Sequence, residues 1–224
     1  VREQVKQGAQ FIKFMATGGV TTPGTDPNAP AFTQDEMDAL VDEAHRRGVH
    51  VAAHAHGAEG ARAAIRAGVD TIEHGTFLDE ATIDLLVAEN VVLVPTLSAP
   101  YRIVRNADHA TDEALQKTND VYERHIESFS AAVEAGVDIA GGTDAGTPFN
   151  YHGANATEIS FMAEYGMDPH DALVAMTGHA AEVIGLDDAG TLEADSYADL
   201  LVLDEDPLED LLALRDPETV VKGG

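Results

Sequence analysis

The chain has 224 residues, of which 44% are hydrophobic, and this composition is enough for one sizeable globular core and excludes a disordered polymer. No apolar run approaches the roughly 18 residues that a membrane-spanning helix requires, and a net charge of −27 disfavours binding to the phosphate backbone of nucleic acids. The absence of cysteine excludes disulfides, thiolate catalysis and cysteine-based zinc sites.

The acidic excess predicts a protein that works at high salt. Forty acidic residues face thirteen basic ones, and self-repulsion on this scale destabilises a compact chain at low ionic strength. No signal peptide is recognisable at the start of the sequence. We therefore expect a cytoplasmic location in a halophilic organism, with an ordinary acidic enzyme as the alternative.

This expectation predicts how the melting temperature depends on salt. Because counterions screen the repulsion between surface carboxylates, we expect the melting temperature to rise as KCl is increased from about 0.1 M to the molar range. Thermal melts followed by circular dichroism measure this directly. A melting temperature that is flat or falls with KCl would contradict the halophilic interpretation.

A repeated pattern predicts strands and helices in alternation. Helical stretches end at Gly or Asn, which favour the left-handed conformation that terminates a helix, and a short β-branched run follows each one. These junctions lie at Gly48, Gly68, Asn90 and Gly136. The runs are short and mostly apolar, as in strands buried on both faces. The predicted strands are 10–16, 49–53, 71–73, 91–94 and 138–140.

Helix signals occupy the intervals between these strands. Thr33 and Glu36 have the spacing of a capping box, and Asp79 is expected to cap a helix that reaches Ala88. Further helices are predicted at 112–135, 155–165 and 169–177, followed by a strand outside the main sheet at 197–203.

Strands and helices that alternate at a spacing of roughly 20 residues predict βαβ units and a parallel sheet. About five strands are too few to close an eight-stranded barrel. We therefore predict an α/β fold with a parallel sheet that does not close into a complete barrel.

Polar residues stand where the predicted strands end. Lys13 lies in the first apolar run, His54 and His56 follow the second, His74 follows the third, and Asp144 follows the last. The carboxyl ends of parallel strands meet at one rim, where α/β proteins build their sites. A lone histidine is more often structural, so it is the coincidence at four strand ends that predicts a site.

Imidazole and carboxylate ligands suit Zn²⁺, and also Mn²⁺, Fe²⁺ or Co²⁺. Such a metal lowers the pKa of bound water toward ~7 and polarises a carbonyl group. An aspartate beside that water can take its proton and pass it to a leaving amine. This pattern predicts a catalytic metal site, while a Lys13 that forms a Schiff base, as in a lyase, is an alternative.

Four segments of the chain resemble the imidazolonepropionase-like and Xaa-Pro dipeptidase-like branch of the amidohydrolase superfamily. They are IKFMATGG at 12–19, VAAHAHG at 51–57, IEHG at 72–75 and GTD at 142–144. The tail at 190–193 and 198–207 is similar to the same branch.

The resemblance implies a (β/α)8 TIM barrel of the metal-dependent hydrolase type over 1–190, incomplete because the early strands are missing. It implies that 191–224 returns to a small β-sandwich. A His-x-His pair on an early strand is also implied, so the chain is expected to be the C-terminal portion of a longer enzyme.

The resemblance further implies roles for individual residues. Lys13 is expected to be carboxylated on its amine and to bridge two metal ions, with His54 and His74 binding the second metal. Asp144 is expected to bind the first metal and to act as the proton shuttle, and His56 to have a catalytic or substrate-contacting role. Two zinc ions are the expected cofactors, with manganese, iron or cobalt as alternatives.

His152 and Tyr101 are expected to line the substrate pocket, with His152 also a candidate catalytic residue. Specificity is expected to reside in the loops 19–32 and 98–112. The remaining histidines are predicted to be structural or surface residues: His45, His50, His109, His125, His170 and His179.

The expected function is hydrolysis of a C–N amide bond in a small molecule, either a dipeptide such as Xaa-Pro or a cyclic amide. The alternatives are a Schiff-base lyase and a non-catalytic metal-binding or interaction module derived from such an enzyme. Neither a nucleic acid nor a membrane is an expected partner, and a homo-oligomer is compatible with the sequence.

Overall fold

Four parallel strands form the main sheet of the protein. In sheet order they are β1 (Phe11–Met15), β2 (His50–Gly57), β3 (Thr71–Phe77) and β4 (Val92–Val94). The computed structural model describes residues 1–20, 22, 24–106 and 112–224, with the backbone alone for 112–118. The parallel pairing of consecutive strands confirms the predicted βαβ organisation.

Helices connect the strands and continue beyond them. They are α1 (Arg2–Lys6), α2 (Gln34–His45), α3 (Ala58–Ala67), α4 (Glu80–Glu89), α5 (Ser98–Arg105), α6 (Asp112–Glu134), α7 (Ala156–Glu164), α8 (Pro169–Ala175) and α9 (Gly178–Val183). Near the end of the chain, a 3-10 helix (Leu211–Arg215) lies between two antiparallel strands, β5 (Leu200–Val202) and β6 (Thr219–Val221). Among the described residues, no helix combines the length and the apolar character that crossing a bilayer requires.

The predicted helix boundaries depend on local capping, and the structure confirms them. Thr33 and Glu36 form both hydrogen bonds of a capping box at the start of α2. The Asp79 side chain accepts a hydrogen bond from the backbone amide of Thr82 at the start of α4. Gly68 and Asn90 end α3 and α4 in the left-handed conformation, with φ of 89° and 54°.

The predicted strand at 138–140 is wrong in its extent. Only one parallel bridge forms there, between Leu93 and Ile139, and the Leu93 amide donates to the carbonyl oxygen of Asp138 at 2.8 Å. The chain then leaves the sheet, because the amide of Gly141 donates to the carbonyl oxygen of Ala175 at 2.7 Å. A backbone bond to a helix end therefore replaces the strand pairing.

The described residues fall into two compact units. The first comprises Val1–Pro95 with Glu123–Ile139, and the second comprises Thr96–Tyr122 with Ala140–Gly224. The first unit holds the parallel sheet and the last part of α6. Helices α1 to α4 also belong to the first unit, and the second unit holds α5, the first part of α6, α7 to α9 and the β5–β6 pair. The expected division between a barrel at 1–190 and a sandwich segment at 191–224 stays a prediction.

One face of the sheet in the first unit is apolar and buried. Val51, Ala53, Ile72 and Leu93 are each at most 1% exposed. The small side chains of α3 allow this helix to approach the strands closely, and a methyl group at Gly60 would overlap the side chain of Thr17. The opposite face carries polar side chains and holds the candidate site.

Candidate metal centre

Three histidines of the first unit converge on the polar face of the sheet. One potential ligand atom from each of His54, His56 and His74 lies within 4.8 Å of the others. The ring centroids are 4.5 Å apart for His54 and His56, 4.6 Å for His54 and His74, and 4.9 Å for His56 and His74. Such a group of nitrogen donors could hold one divalent ion.

The structure describes a second group of comparable donors, Asp168, His170 and Asp171, at the start of α8. All three side chains are exposed, and Asp168 already accepts a hydrogen bond from the backbone amide of His170. Since exposed acidic groups of this kind commonly bind no metal, only the three converging histidines are taken as the candidate centre.

Strand geometry brings His54 and His56 together. They are two residues apart in β2, so their side chains project from the same face of the sheet. The predicted strand ended at Ala53, but β2 continues to Gly57 and includes both histidines. The loop after β1 supports this extension, since the amide of Gly57 donates to the carbonyl oxygen of Pro27 at 2.9 Å.

Lys13 belongs to the same face of the sheet. It lies opposite Ala52 in the β1–β2 pairing, and Met15 lies opposite His54. Paired residues of neighbouring parallel strands project to the same side, so Lys13 shares a face with His54. Its side chain is exposed, and its positive charge contributes to lowering the pKa of His74.

His74 reaches the cluster through an irregular backbone. It pairs with Ala55, whose side chain faces away from His54, so a regular strand would turn His74 to the wrong face. His74 instead has a φ of 76°, and the register of β2 against β3 shifts between Ala55 and Gly57. This left-handed residue breaks the alternation, and its imidazole lies beside His54 and His56.

Two threonines fix the position of His56. Its backbone amide donates to Oγ1 of Thr17 at 3.0 Å, and a hydrogen bond of 2.8 Å joins its Nδ1 to Oγ1 of Thr76. Metal-binding histidines typically use one ring nitrogen for such a supporting bond. Nε2 of His56 is therefore the nitrogen left for a metal or a substrate.

Burial keeps the imidazoles of His56 and His74 neutral. Desolvation, reinforced by the neighbouring histidines His54 and His125, lowers the pKa of His56 to about 3. Desolvation and the charges of nearby histidines also hold the pKa of His74 well below its usual value. Neutral imidazole is the form that binds a metal, so this donor set fits a zinc-type divalent cation.

A fourth histidine, His125 of α6, lies beneath the cluster. It is 2% exposed, and its Nε2 donates to the carbonyl oxygen of His74 at 2.9 Å. Burial lowers the pKa of His125 to about 4, although hydrogen bonds to the backbone of His74 and Pro95 act in the opposite direction. The sequence predicted a structural or surface role for His125 and gave no sign of the backbone carbonyl group that this side chain contacts.

These lowered pKa values predict a loss of stability in acid. The pKa of a histidine in the unfolded chain is about 6.5, so below that pH the unfolded state binds more protons than the folded state. Stability contributed by His125 is therefore complete above pH ~6.5 and is lost as the pH falls toward 4. For metal-free protein, this residue alone should cost about 2 kcal/mol between pH ~7.5 and ~5.

Urea unfolding of wild type and His125→Asn at the two pH values measures this effect. We expect the wild type to lose about 2 kcal/mol more than the variant. The comparison with the variant is needed because Glu158 also makes the stability of the protein depend on pH. Burial raises the pKa of Glu158 to about 7, so the stability that this carboxyl group contributes is lost as the pH rises. Equal losses in both proteins would exclude His125 as the source.

Asp144 lies in the second unit, on a tight turn. Its side chain is exposed and its φ is 49°. Nδ2 of Asn150 donates to the carbonyl oxygens of Thr143 and Asp144, at 2.6 and 3.2 Å. Oγ of Ser98 also donates to the carbonyl oxygen of Thr143, at 3.2 Å. Sequence reasoning missed Asn150, because nothing in a Phe-Asn-Tyr stretch marks a buried amide.

Glu158 is a second residue that the sequence did not reveal. It is fully buried, and its two carboxyl oxygens accept the backbone amides of Leu97 at 2.6 Å and Ser98 at 2.8 Å. These amides begin α5, a helix that lies within the predicted loop 98–112. Glu158 therefore anchors the start of α5, and Ser98 connects that helix start to the turn that carries Asp144.

The predicted substrate residues also lie in the second unit. Tyr101 is half-buried, with ring centroids 4.5 Å from Phe161 and 6.0 Å from Tyr122, while His152 is exposed. Their roles stay predictions. Of the other histidines, His45 is joined to Asp70 at 2.9 Å, and His109 lies outside the described residues. Residues 21 and 23 of the loop 19–32, and 107–111 of the loop 98–112, also lie outside them.

Comparison with known proteins identifies consistent relatives. The model described as the amidohydrolase family matches residues 1–224. Ochratoxinase of Aspergillus niger is 35% identical over 231 residues, covering 100% of this chain and 47% of the ochratoxinase. Imidazolonepropionase of Paracoccus denitrificans is 29% identical over 182 residues, covering 78% of this chain and 40% of that protein.

A solved structure extends the similarity to the fold. The crystal structure of a Xaa-Pro dipeptidase with bound methionine in the active site matches with a TM-score of 0.91 and 39% identity, over 99% of this chain and 55% of that one. The resemblance inferred from the four segments and the predicted fold class are thereby confirmed. The chain spans about half the length of these relatives.

Proposed function

The chain belongs to the amidohydrolase family, and from that membership we propose that it forms part of a metal-dependent hydrolase that cleaves a C–N amide bond in a small molecule. The observation that carries the proposal is the convergence of three buried or half-buried imidazoles on one face of the sheet. Two of them, His54 and His74, are the ligands expected from the sequence.

The proposed metal site assigns a separate task to each residue. His54 and His74 would bind one divalent ion through ring nitrogens, and His56 would act beside them as a further ligand or as a substrate contact. Lys13 lies on the same face, and its amine, once carboxylated, would supply oxygen ligands. The proposed cofactors at this site are two zinc ions, with manganese, iron or cobalt as alternatives. A bound divalent ion would supply Lewis acidity and a more acidic water.

The proposed proton transfer belongs to Asp144. Its carboxylate would take a proton from the attacking water as the new C–O bond forms, and would give that proton to the amine nitrogen as the C–N bond breaks. Its exposed side chain is accessible for this task. The GTD segment at 142–144, which carries Asp144 and lies within the family match, supports this assignment.

The proposed substrates are small amides, in particular dipeptides of the Xaa-Pro type. This proposal is supported by the names of two relatives, a Xaa-Pro dipeptidase and an imidazolonepropionase. The proposed setting is the cytoplasm of a halophilic organism, in accord with the net charge of −27. A homo-oligomeric state also stays a proposal.

A panel of amides tests the proposed function. The purified protein, loaded with zinc, should hydrolyse at least one member of a panel of Xaa-Pro dipeptides, other dipeptides and cyclic amides, with release of amine followed by mass spectrometry. Chelation should abolish the activity and added metal should restore it, because the metal would supply the electrophile.

The alternatives predict different results with the same protein. A metal-loaded protein inert on the whole panel would favour a non-catalytic metal-binding module. Irreversible modification of Lys13 by borohydride in the presence of substrate, with activity that survives chelation, would favour a Schiff-base lyase.

A further inference from the structure

The segment that carries His74 adopts a backbone that needs external support. His74 and the following Gly75 both have positive φ, at 76° and 61°. For a residue with a Cβ this conformation is unfavourable, and it persists only where the surroundings determine it. Because this backbone turns the His74 imidazole toward His54 and His56, whatever holds it also determines the geometry of the cluster.

Neighbouring strands do not supply all of this support. The pairing of β3 with β4 ends at Glu73 and Val94, whereas β3 continues to Phe77. The carbonyl groups of His74 and Gly75 lie just beyond the last pair. Buried carbonyl groups require a hydrogen-bond donor, and here the donors come from outside the sheet.

Two side chains of α6 provide these donors. Nε2 of His125 donates to the carbonyl oxygen of His74 at 2.9 Å, and Oγ of Ser128 donates to the carbonyl oxygen of Gly75 at 2.5 Å. Oγ of Ser128 in turn accepts the amide of Leu78 at 3.3 Å. His125 and Ser128 are 2% and 4% exposed, and their spacing of three residues puts them on one side of the helix.

We infer that His125 and Ser128 form a brace that positions the His74 imidazole for metal binding. Both act through the backbone and neither is a ligand, so they are positioning residues. The brace rests on the proposed function, since it matters only if His74 binds a metal. It predicts that removing a hydroxyl group from α6 changes the metal site, even though that hydroxyl group does not contact the metal.

A purely structural role makes a different prediction. If Ser128 only satisfied buried backbone groups, its loss would lower stability like any comparable core defect and would leave the bound metal unchanged. Ser128→Ala is the sharpest probe, because it removes the hydroxyl group alone. Val41→Ala is the matched control, since it removes buried methyl groups from α2, which lies elsewhere in the first unit.

Titration with Co²⁺ separates the two interpretations. We expect Ser128→Ala to bind Co²⁺ about tenfold or more weakly than wild type, with an altered visible absorption spectrum, because losing a support behind a ligand typically has this effect. Val41→Ala should melt at a lower temperature yet keep the wild-type affinity and spectrum. Ser128→Thr, which retains the hydroxyl group, should restore both.

Wild-type affinity and spectrum in Ser128→Ala would overturn the brace. A second readout requires no metal: the coupling between the amide and α protons of His74, measured by NMR, reports its φ. In metal-free protein we expect this coupling to change in Ser128→Ala and not in Val41→Ala. If wild type binds no Co²⁺ but the coupling changes, the proposed metal site fails while the support of the His74 backbone stands. An unchanged coupling overturns the brace.

Discussion

Replacing Asp144 by asparagine is expected to lower kcat by roughly 10²- to 10⁴-fold, the range that general acid–base catalysis contributes. The amide has nearly the shape of the carboxylate but cannot take a proton from water or pass one to the leaving amine. Some metal should stay bound, because the proposed ligands His54 and His74 are untouched. Steady-state kinetics on an active amide, with metal content measured in parallel, test this expectation.

The local structure makes this substitution informative. The turn around Asp144 is held through carbonyl oxygens, which accept hydrogen bonds from the side chains of Asn150 and Thr147. None of these bonds uses the Asp144 carboxylate. Asparagine also tolerates the left-handed φ of 49° better than most residues, so the backbone should stay as it is.

Asp195→Asn is the matched control for Asp144→Asn. Asp195 is also exposed and has a φ of 72°, so this substitution makes the same chemical change on a similar backbone. It should leave kcat unchanged. Turnover retained by Asp144→Asn would remove Asp144 from the proton-transfer role, whatever the metal content.

Replacing His74 by asparagine is expected to weaken metal binding by more than about 100-fold, the upper end of the effect of losing a residue that only supports a ligand. The substitution removes the imidazole and retains a residue type that accepts a φ of 76°. Metal content after dialysis, and competition with a chromophoric chelator, measure the loss. Activity should fall with the bound metal.

His50→Asn serves as the control for His74→Asn, because His50 lies in the same sheet but outside the cluster of three histidines. It should retain the wild-type metal affinity. A His74→Asn protein that binds metal as tightly as this control would exclude His74 as a ligand.

The same titration assigns His56. A loss in His56→Asn as large as in His74→Asn would make His56 a ligand, whereas a 10- to 100-fold loss would indicate a supporting residue. Its 2.8 Å bond to Thr76 and the proximity of its ring to both partners are compatible with either role.

Much of the site could be predicted because strand periodicity is a local property. The sequence placed His54 and His56 directly after the predicted strand 49–53. Because β2 continues through both residues, their spacing of two puts them on one face of the sheet. The start of α2 at Thr33 and the end of α3 at Gly68 also depend on residues within one turn. Such features need no knowledge of distant contacts.

Other features depend on residues far apart in the chain. Helix α5 lies in a segment expected to be a loop, and Glu158 binds the amides that begin this helix from 60 residues away. The strand expected at 138–140 gives way to a backbone bond between Gly141 and Ala175. Local propensity carries no information about either partner.

The sequence by itself determined the parallel α/β arrangement and the helix caps, because each follows from a period or a cap within a few residues. It also marked His54, His56 and His74 as residues that follow predicted strands. Only the tertiary structure decided which face His74 presents. That choice depends on a left-handed residue, a register shift between two strands, and hydrogen bonds from His125 and Ser128, about 50 residues further along the chain. An unfavourable backbone conformation persists only where distant groups satisfy it, so no local pattern could have announced it.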